Sequence, residues 1–189
     1  MFANAALRTL QLLFFRVGPQ DFPYAGELAR LVPALAIAGN VALLAVVLPP
    51  LLAIAIAVTM VAVLALYTHS LLRARGLPSR FQQTFNSLLA TDVALKLVML
   101  PAFYQLAPKL AEIAQHPELL NDPDKIGLPS APLLVTNLVS YWSFAVSANI
   151  YRHAANVNIL LGILLTVIAL VVLLFATAIT SGVFRALLG

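Results

Sequence analysis

Five long apolar runs organise this chain, and each matches the thickness of a lipid bilayer. A hydrocarbon core takes about 20 apolar residues as helix, within a working range of roughly 17 to 25. Leu31–Leu48, Leu51–Leu72, Thr84–Leu106 and Pro132–Ile150 fit, and Asn158–Leu187 fits with tilt or a short interfacial turn at Phe184-Arg185. Pro49-Pro50 separates the first two runs. Two consecutive prolines cannot continue a helix without losing hydrogen bonds, so these runs read as a hairpin. The expected fold class is all-α: a polytopic membrane helical bundle of about five transmembrane helices with an N-terminal interfacial amphipathic helix. The expected division is 1–30 for that helix and an ordered turn, and 31–189 for the bundle, with an outer loop at 107–131.

Composition points the same way. Hydrophobic residues make up 62% of the 189 and charged residues 10%, with a mean hydropathy of +0.98. A soluble domain carries about a quarter charged residues, and too few are present here to cover its surface. The apolar content excludes disorder. With no cysteine, disulfides, thiolate metal sites and a cysteine nucleophile are excluded as well. The net charge is +4, but the basic residues lie between the apolar runs as topology signals and headgroup contacts. No basic stretch is long enough to track phosphates, which argues against nucleic acid.

Met1–Val17 does not read as a signal peptide, because Arg8 and Arg16 stand in its middle and at its end. Asn4, Arg8 and Gln11 recur at helical spacing beside Phe2, Leu10, Leu13 and Phe14, the pattern of a helix in the membrane interface. The competing reading is a cytoplasmic helix packed on the rest of the protein. Gly18-Pro19 ends it, and Gln20–Tyr24 is expected to form an ordered turn.

Orientation follows from the short loops. Arg8, Arg16 and Arg30 precede the first run, Arg73, Arg75 and Arg80 lie between the second and third, and Arg152 and His153 follow the fourth. With five spans these share one side, the cytoplasm by the positive-inside rule. The N-terminus is then cytoplasmic and the C-terminus periplasmic. The outer loop begins with Ala107–Gln115, expected as a helical turn or two on the outer surface, and carries Glu112, Glu118, Asp122 and Asp124 against Lys109 and Lys125; it lacks the spacing of a calcium loop and reads as a solvated acidic segment.

Signatures of soluble catalysis are missing: no nucleophile elbow, no phosphate-cradling glycine loop, no zinc-protease motif. The expectation is a protein that is not an enzyme and has no cofactor. His69 and His153 both fall near the cytoplasmic end, and interfacial histidines are far commoner than haem ligands. The informative pair is Asp92 and Lys96, four residues apart near the middle of the third run and so on one helix face. A charge at mid-bilayer costs about 2.5 to 3.5 kcal/mol on the insertion scale, so both must face protein or water. Counting depth along the other runs brings Asn137, Ser140 and Tyr141 to this level, together with Asn40 and Thr166. The expectation is a buried polar layer around the pair, with Tyr141 and Asn137 as hydrogen-bond partners. Its structural reading, a neutralised pair that fixes helix register, outweighs a solute or proton path. Trp142 lies away from the usual aromatic belt and reads as a core filler, ahead of an anchor at a subunit or lipid contact. Small residues crowd the first two runs (Ala34, Ala36, Ala38, Gly39, Ala42 and Ala45, then Ala53, Ala55, Ala57, Ala62 and Ala65) and suit close helix packing or assembly with another chain.

The segments Arg16-Val-Gly-Pro-Gln-Asp-Phe-Pro-Tyr24, Arg80-Phe-Gln-Gln-Thr-Phe-Asn86 and Tyr141–His153 resemble those of small proteobacterial inner-membrane proteins. The layout also resembles, in topology alone, Yip1-type five-span proteins. The first resemblance implies the bacterial inner membrane and no particular activity. The second implies a membrane-organising or partner-binding role. The functional expectation is a non-catalytic accessory or organising subunit that binds membrane lipids and other membrane-protein subunits, or itself. The alternative is a small oligomeric transporter or channel using the layer around Asp92 and Lys96.

Overall fold

The computed structural model describes residues 2–116, 118 and 127–188. Those residues form α1 (Phe2–Leu13), α2 (Leu28–Leu44), α3 (Pro50–Ala74), α4 (Phe81–Gln115), α5 (Ser130–Ala154) and α6 (Ile159–Leu188), with no strand among them. The helices α3 to α6 are each long and apolar enough to cross a membrane. The first expected span is shorter than predicted. It begins earlier, at Leu28, and ends at Leu44, where a turn carries the chain to Pro49; its 17 residues are the minimum for a crossing.

Packing joins α2 to α3, α3 to α6, α6 to α5, α5 to α4 and α4 back to α2, so the five apolar helices close into a ring. The innermost stretch is the first two turns of α4. Thr84 through Leu89 are all buried, because α1, α2, α3 and α5 reach this helix from different sides. The third expected span ends at Leu106, yet the helix runs on through Pro101 and Pro108 to Gln115. At 1.5 Å per residue its 35 residues reach about 52 Å, well beyond a hydrocarbon core of about 30 Å. The start of the expected outer loop is therefore the projecting end of α4. Here Lys109 pairs with Glu112 at 2.8 Å, and His116 with Glu118 at 3.0 Å, both in exposed positions worth little stability. Asp122, Asp124 and Lys125 lie outside the described residues.

Two loop ends are latched by arginines. Arg80 donates to the carbonyls of His153 and Ala154 and to Asn156 Oδ1 at 3.0 Å, while Arg75 Nε donates to Ala155 O at 3.3 Å. They satisfy carbonyls at the C-terminal end of α5 that have no partner within the helix. Gly76 turns the chain after α3 with φ of 70°, the left-handed region where glycine has no Cβ penalty.

The turn after α1 is held just as specifically. Gln83 donates to the carbonyls of Gln20 and Phe22, Gln82 to that of Ala25, and Asp21 accepts from the backbone N–H of Gly18. Gln20–Tyr24 is thus ordered, as its composition suggests, and lies level with the start of α4. Arg73, Arg75, Arg80 and Arg152 consequently share one end of the bundle with the segment that leads into α2.

Candidate functional site

Asp92 and Lys96 come together on α4 as an ion pair, and the pair reaches across to α2. Lys96 Nζ donates to Asp92 and, at 2.8 Å, to Asn40 Oδ1. Asn40 is buried and anchors itself by donating from Nδ2 to the carbonyl of Ala36 at 2.8 Å. The ammonium therefore has one charged and one neutral acceptor, and the amide has both ends engaged. Side-chain exposure is 14% for Lys96 and 33% for Asp92, so the carboxylate is the more accessible partner. The net charge of the group is zero. Its chemistry is that of a register pin between two helices.

Four other residues expected in this layer are elsewhere. Thr166 is buried on α6, but its hydroxyl donates to the carbonyl of Gly162 one turn earlier. Asn137, Ser140 and Tyr141 are exposed on the outer face of α5, with Tyr141 at 73%. Their common face was legible from the 3.6-residue period; the direction it turns was not, and it turns away from α4. Ser140 satisfies itself on Thr136 O at 2.8 Å, while Asn137 and Tyr141 make no side-chain hydrogen bond with the described residues.

Trp142 is not a core filler. It is 42% exposed, its Nε1 donates to Leu13 O at 3.0 Å, and its ring meets Phe14 and Phe15 edge-on. The indole fastens α1 to α5. α1 itself has three faces. Ala5, Thr9, Leu12 and Leu13 are buried against the bundle, and Phe2, Leu7, Leu10 and Phe14 are exposed apolar groups. Asn4, Arg8 and Gln11 form the polar strip, where the Arg8 guanidinium donates to Gln11 at 2.9 Å. α1 is docked on the bundle, as the competing reading expects, and it keeps exposed apolar residues on its outer side. Of the remaining arginines expected at the headgroups, Arg16, Arg73, Arg75 and Arg152 are exposed and Arg80 is half-buried in its latch.

A second polar cluster escaped the sequence reading. Tyr151 is buried on α5, its hydroxyl 3.2 Å from Thr68 of α3, and its ring meets Tyr67 at right angles. The Tyr67 hydroxyl donates to Leu165 O on α6 at 2.6 Å, so three helices share one knot. Nearby in sequence to the latch, Asn86 and Ser87 are buried on α4 with side-chain polar atoms that have no hydrogen-bond partner among the described residues. His69 is exposed and packs edge-on against Phe81, 5.2 Å between ring centres. No three His, Asp or Glu side chains gather around a point among the described residues.

No protein-family model matches the chain, and neither a curated protein nor a solved structure does.

Proposed function

We propose that this integral membrane protein is a non-catalytic accessory or organising subunit whose α5 face binds another membrane-spanning chain. The observation that carries the reading is the exposure of Asn137 and Tyr141 near the middle of the 25-residue α5. A carboxamide facing hydrocarbon leaves its donors and acceptor unsatisfied, at a cost of about 2–7 kcal/mol depending on reference state. A partner helix that supplies hydrogen bonds removes that cost. Leu134 and Leu138 flank the polar groups and provide apolar area for the same contact. The reading includes the bacterial inner membrane, with the arginine-rich end cytoplasmic and the far end of α6 periplasmic.

The chain has no cysteine, so single cysteines at positions 134, 138 and 141 report on this face without background. Oxidative cross-linking in native membranes is expected to trap a stoichiometric partner from these positions and not from lipid-facing positions on α6. Asn137→Leu with Tyr141→Leu is expected to remove the adduct while the protein stays folded. A chain that runs as a stable monomer in mild detergent, with no adduct from any of the three positions, sinks the proposal.

The one-third exposure of Asp92 favours the second reading, a small oligomeric transporter or channel. That reading requires solute flux in reconstituted vesicles, lost in a folded Asp92→Asn/Lys96→Met variant.

A further inference from the structure

An apolar groove of about 400 Å³ lies between α1, α2 and α4. Leu10 of α1 and Leu31 and Leu35 of α2 wall it, and the small side chains of Ala90 and Ala94 leave room on α4. It follows α2 from Leu28 to Leu35 and α4 from Ala90 to Leu97, two turns of each, or about 10 Å at 1.5 Å per residue. The lining is almost wholly apolar, aliphatic apart from Phe2, Phe22 and Thr9. Such a groove fits an extended hydrocarbon chain better than a compact solute.

The end of the groove identifies what that chain is attached to. Leu31 also borders a second depression, formed with Gly26, Glu27 and Arg30. This lies at the arginine-rich end, next to Ala25, whose carbonyl Gln82 holds. Glu27 and Arg30 are exposed, stand one helical turn apart, and form no ion pair with each other or with another described residue. A carboxylate beside a guanidinium matches a headgroup that carries both charges. Arg30 pairs with a phosphate, and Glu27 accepts hydrogen bonds from a primary ammonium. The glycerol headgroup of phosphatidylglycerol offers Glu27 hydroxyl donors but no positive charge, and its net negative charge is repelled by the carboxylate. A trimethylated ammonium offers charge but no N–H.

We propose that the groove and the Glu27–Arg30 depression together bind one phospholipid of the phosphatidylethanolamine class, with an acyl chain between α1, α2 and α4. The site is separate from the α5 face, and neither depends on the other.

The test presents delipidated full-length protein with dioleoyl phosphatidylethanolamine, phosphatidylcholine or phosphatidylglycerol in mixed micelles, and native mass spectrometry counts the lipid retained. One phosphatidylethanolamine per chain is expected, held about tenfold more tightly than phosphatidylcholine, the scale of one charge-assisted hydrogen bond. Glu27→Gln, a change at an exposed position, should abolish that preference, and Arg30→Gln should weaken all three lipids. Ala94→Trp should fill the groove and remove retention. Equal retention of the three lipids, tighter phosphatidylglycerol binding, or an undiminished preference in Glu27→Gln would each overturn the proposal.

Discussion

The indole Nε1 of Trp142 donates to the carbonyl of Leu13, so the end of α1 hangs on the outer flank of α5. Phe15 beyond it has a φ of 59°, a left-handed conformation uncommon for a bulky residue, and its ring lies 5.4 Å from the indole. Trp142→Leu removes the hydrogen bond and the aromatic contacts, together worth about 2 kcal/mol to the docked helix. A cysteine at buried position 12 should then react with maleimide much faster than in the parent background. Equal reaction rates would show that α1 docks without Trp142.

The Asp92–Lys96 pair predicts an asymmetric response. Asp92→Asn leaves Lys96 with Asn40 and a neutral oxygen at position 92, whereas Lys96→Met strands both Asp92 and Asn40 Oδ1. Breaking a fully buried pair costs about 3 to 5 kcal/mol when the survivor stays charged, and this pair, partly buried, loses less than that. Lys96→Met should therefore lower the thermal midpoint in detergent more than Asp92→Asn does, and the double variant should recover much of the loss. Additive losses would mean that the two side chains do not interact.

Close packing of α5 on α6 depends on Gly162. A Cβ there would stand 2.5 Å from Ala148 O and 3.0 Å from Arg152 Cβ, so the helices must separate to admit it. Gly162→Ala is expected to destabilise the fold by about 1–3 kcal/mol, the usual penalty for overpacking. An unchanged thermal midpoint would contradict the approach.

Asn86 presents the opposite case. Both ends of its buried amide are without a partner among the described residues, and each such group costs about 1–3 kcal/mol. Asn86→Leu, close in volume and without polar atoms, should raise the thermal midpoint. A fall would reveal that the amide is paired in the membrane-embedded protein.

The crossing order is open to reporters. Ser79 precedes α4, and three long helices separate it from the far end of α6. Fusions at position 79 and after position 189 should report opposite sides, with position 79 cytoplasmic. Matching signals would mean that one of these helices does not cross.

Much of this fold is written in hydropathy, because the length of an apolar run sets the helix that spans it. The Asp92–Lys96 pair was legible for a related reason, since charges at mid-span must find partners; depth counting brought Asn40 to the right level but put Asn137 and Tyr141 in its place as partners. Asn137, Ser140 and Tyr141 were misplaced because neutral polar groups carry no such compulsion. Their period fixes a shared face, and only tertiary packing decides where it points. Gln82, Gln83 and Trp142 bond to backbone carbonyls, which have no residue identity for a sequence to advertise. The first expected span was carried too far at its C-terminal end because Ala45–Leu48 is as apolar as the helix it follows.

The Arg80 guanidinium bonds to nothing among the described residues that is made before it. Its acceptors lie on His153, Ala154 and Asn156, more than seventy residues later in the chain. While the protein is being synthesised, the turn between α3 and α4 has only its local backbone hydrogen bonds until α5 has been threaded and brought back to the same side. The latch therefore closes late, and it closes only if every intervening helix has inserted with the right polarity. A chain with one crossing reversed keeps a loose arginine loop at the membrane surface, a mark by which incorrectly inserted copies differ from finished ones.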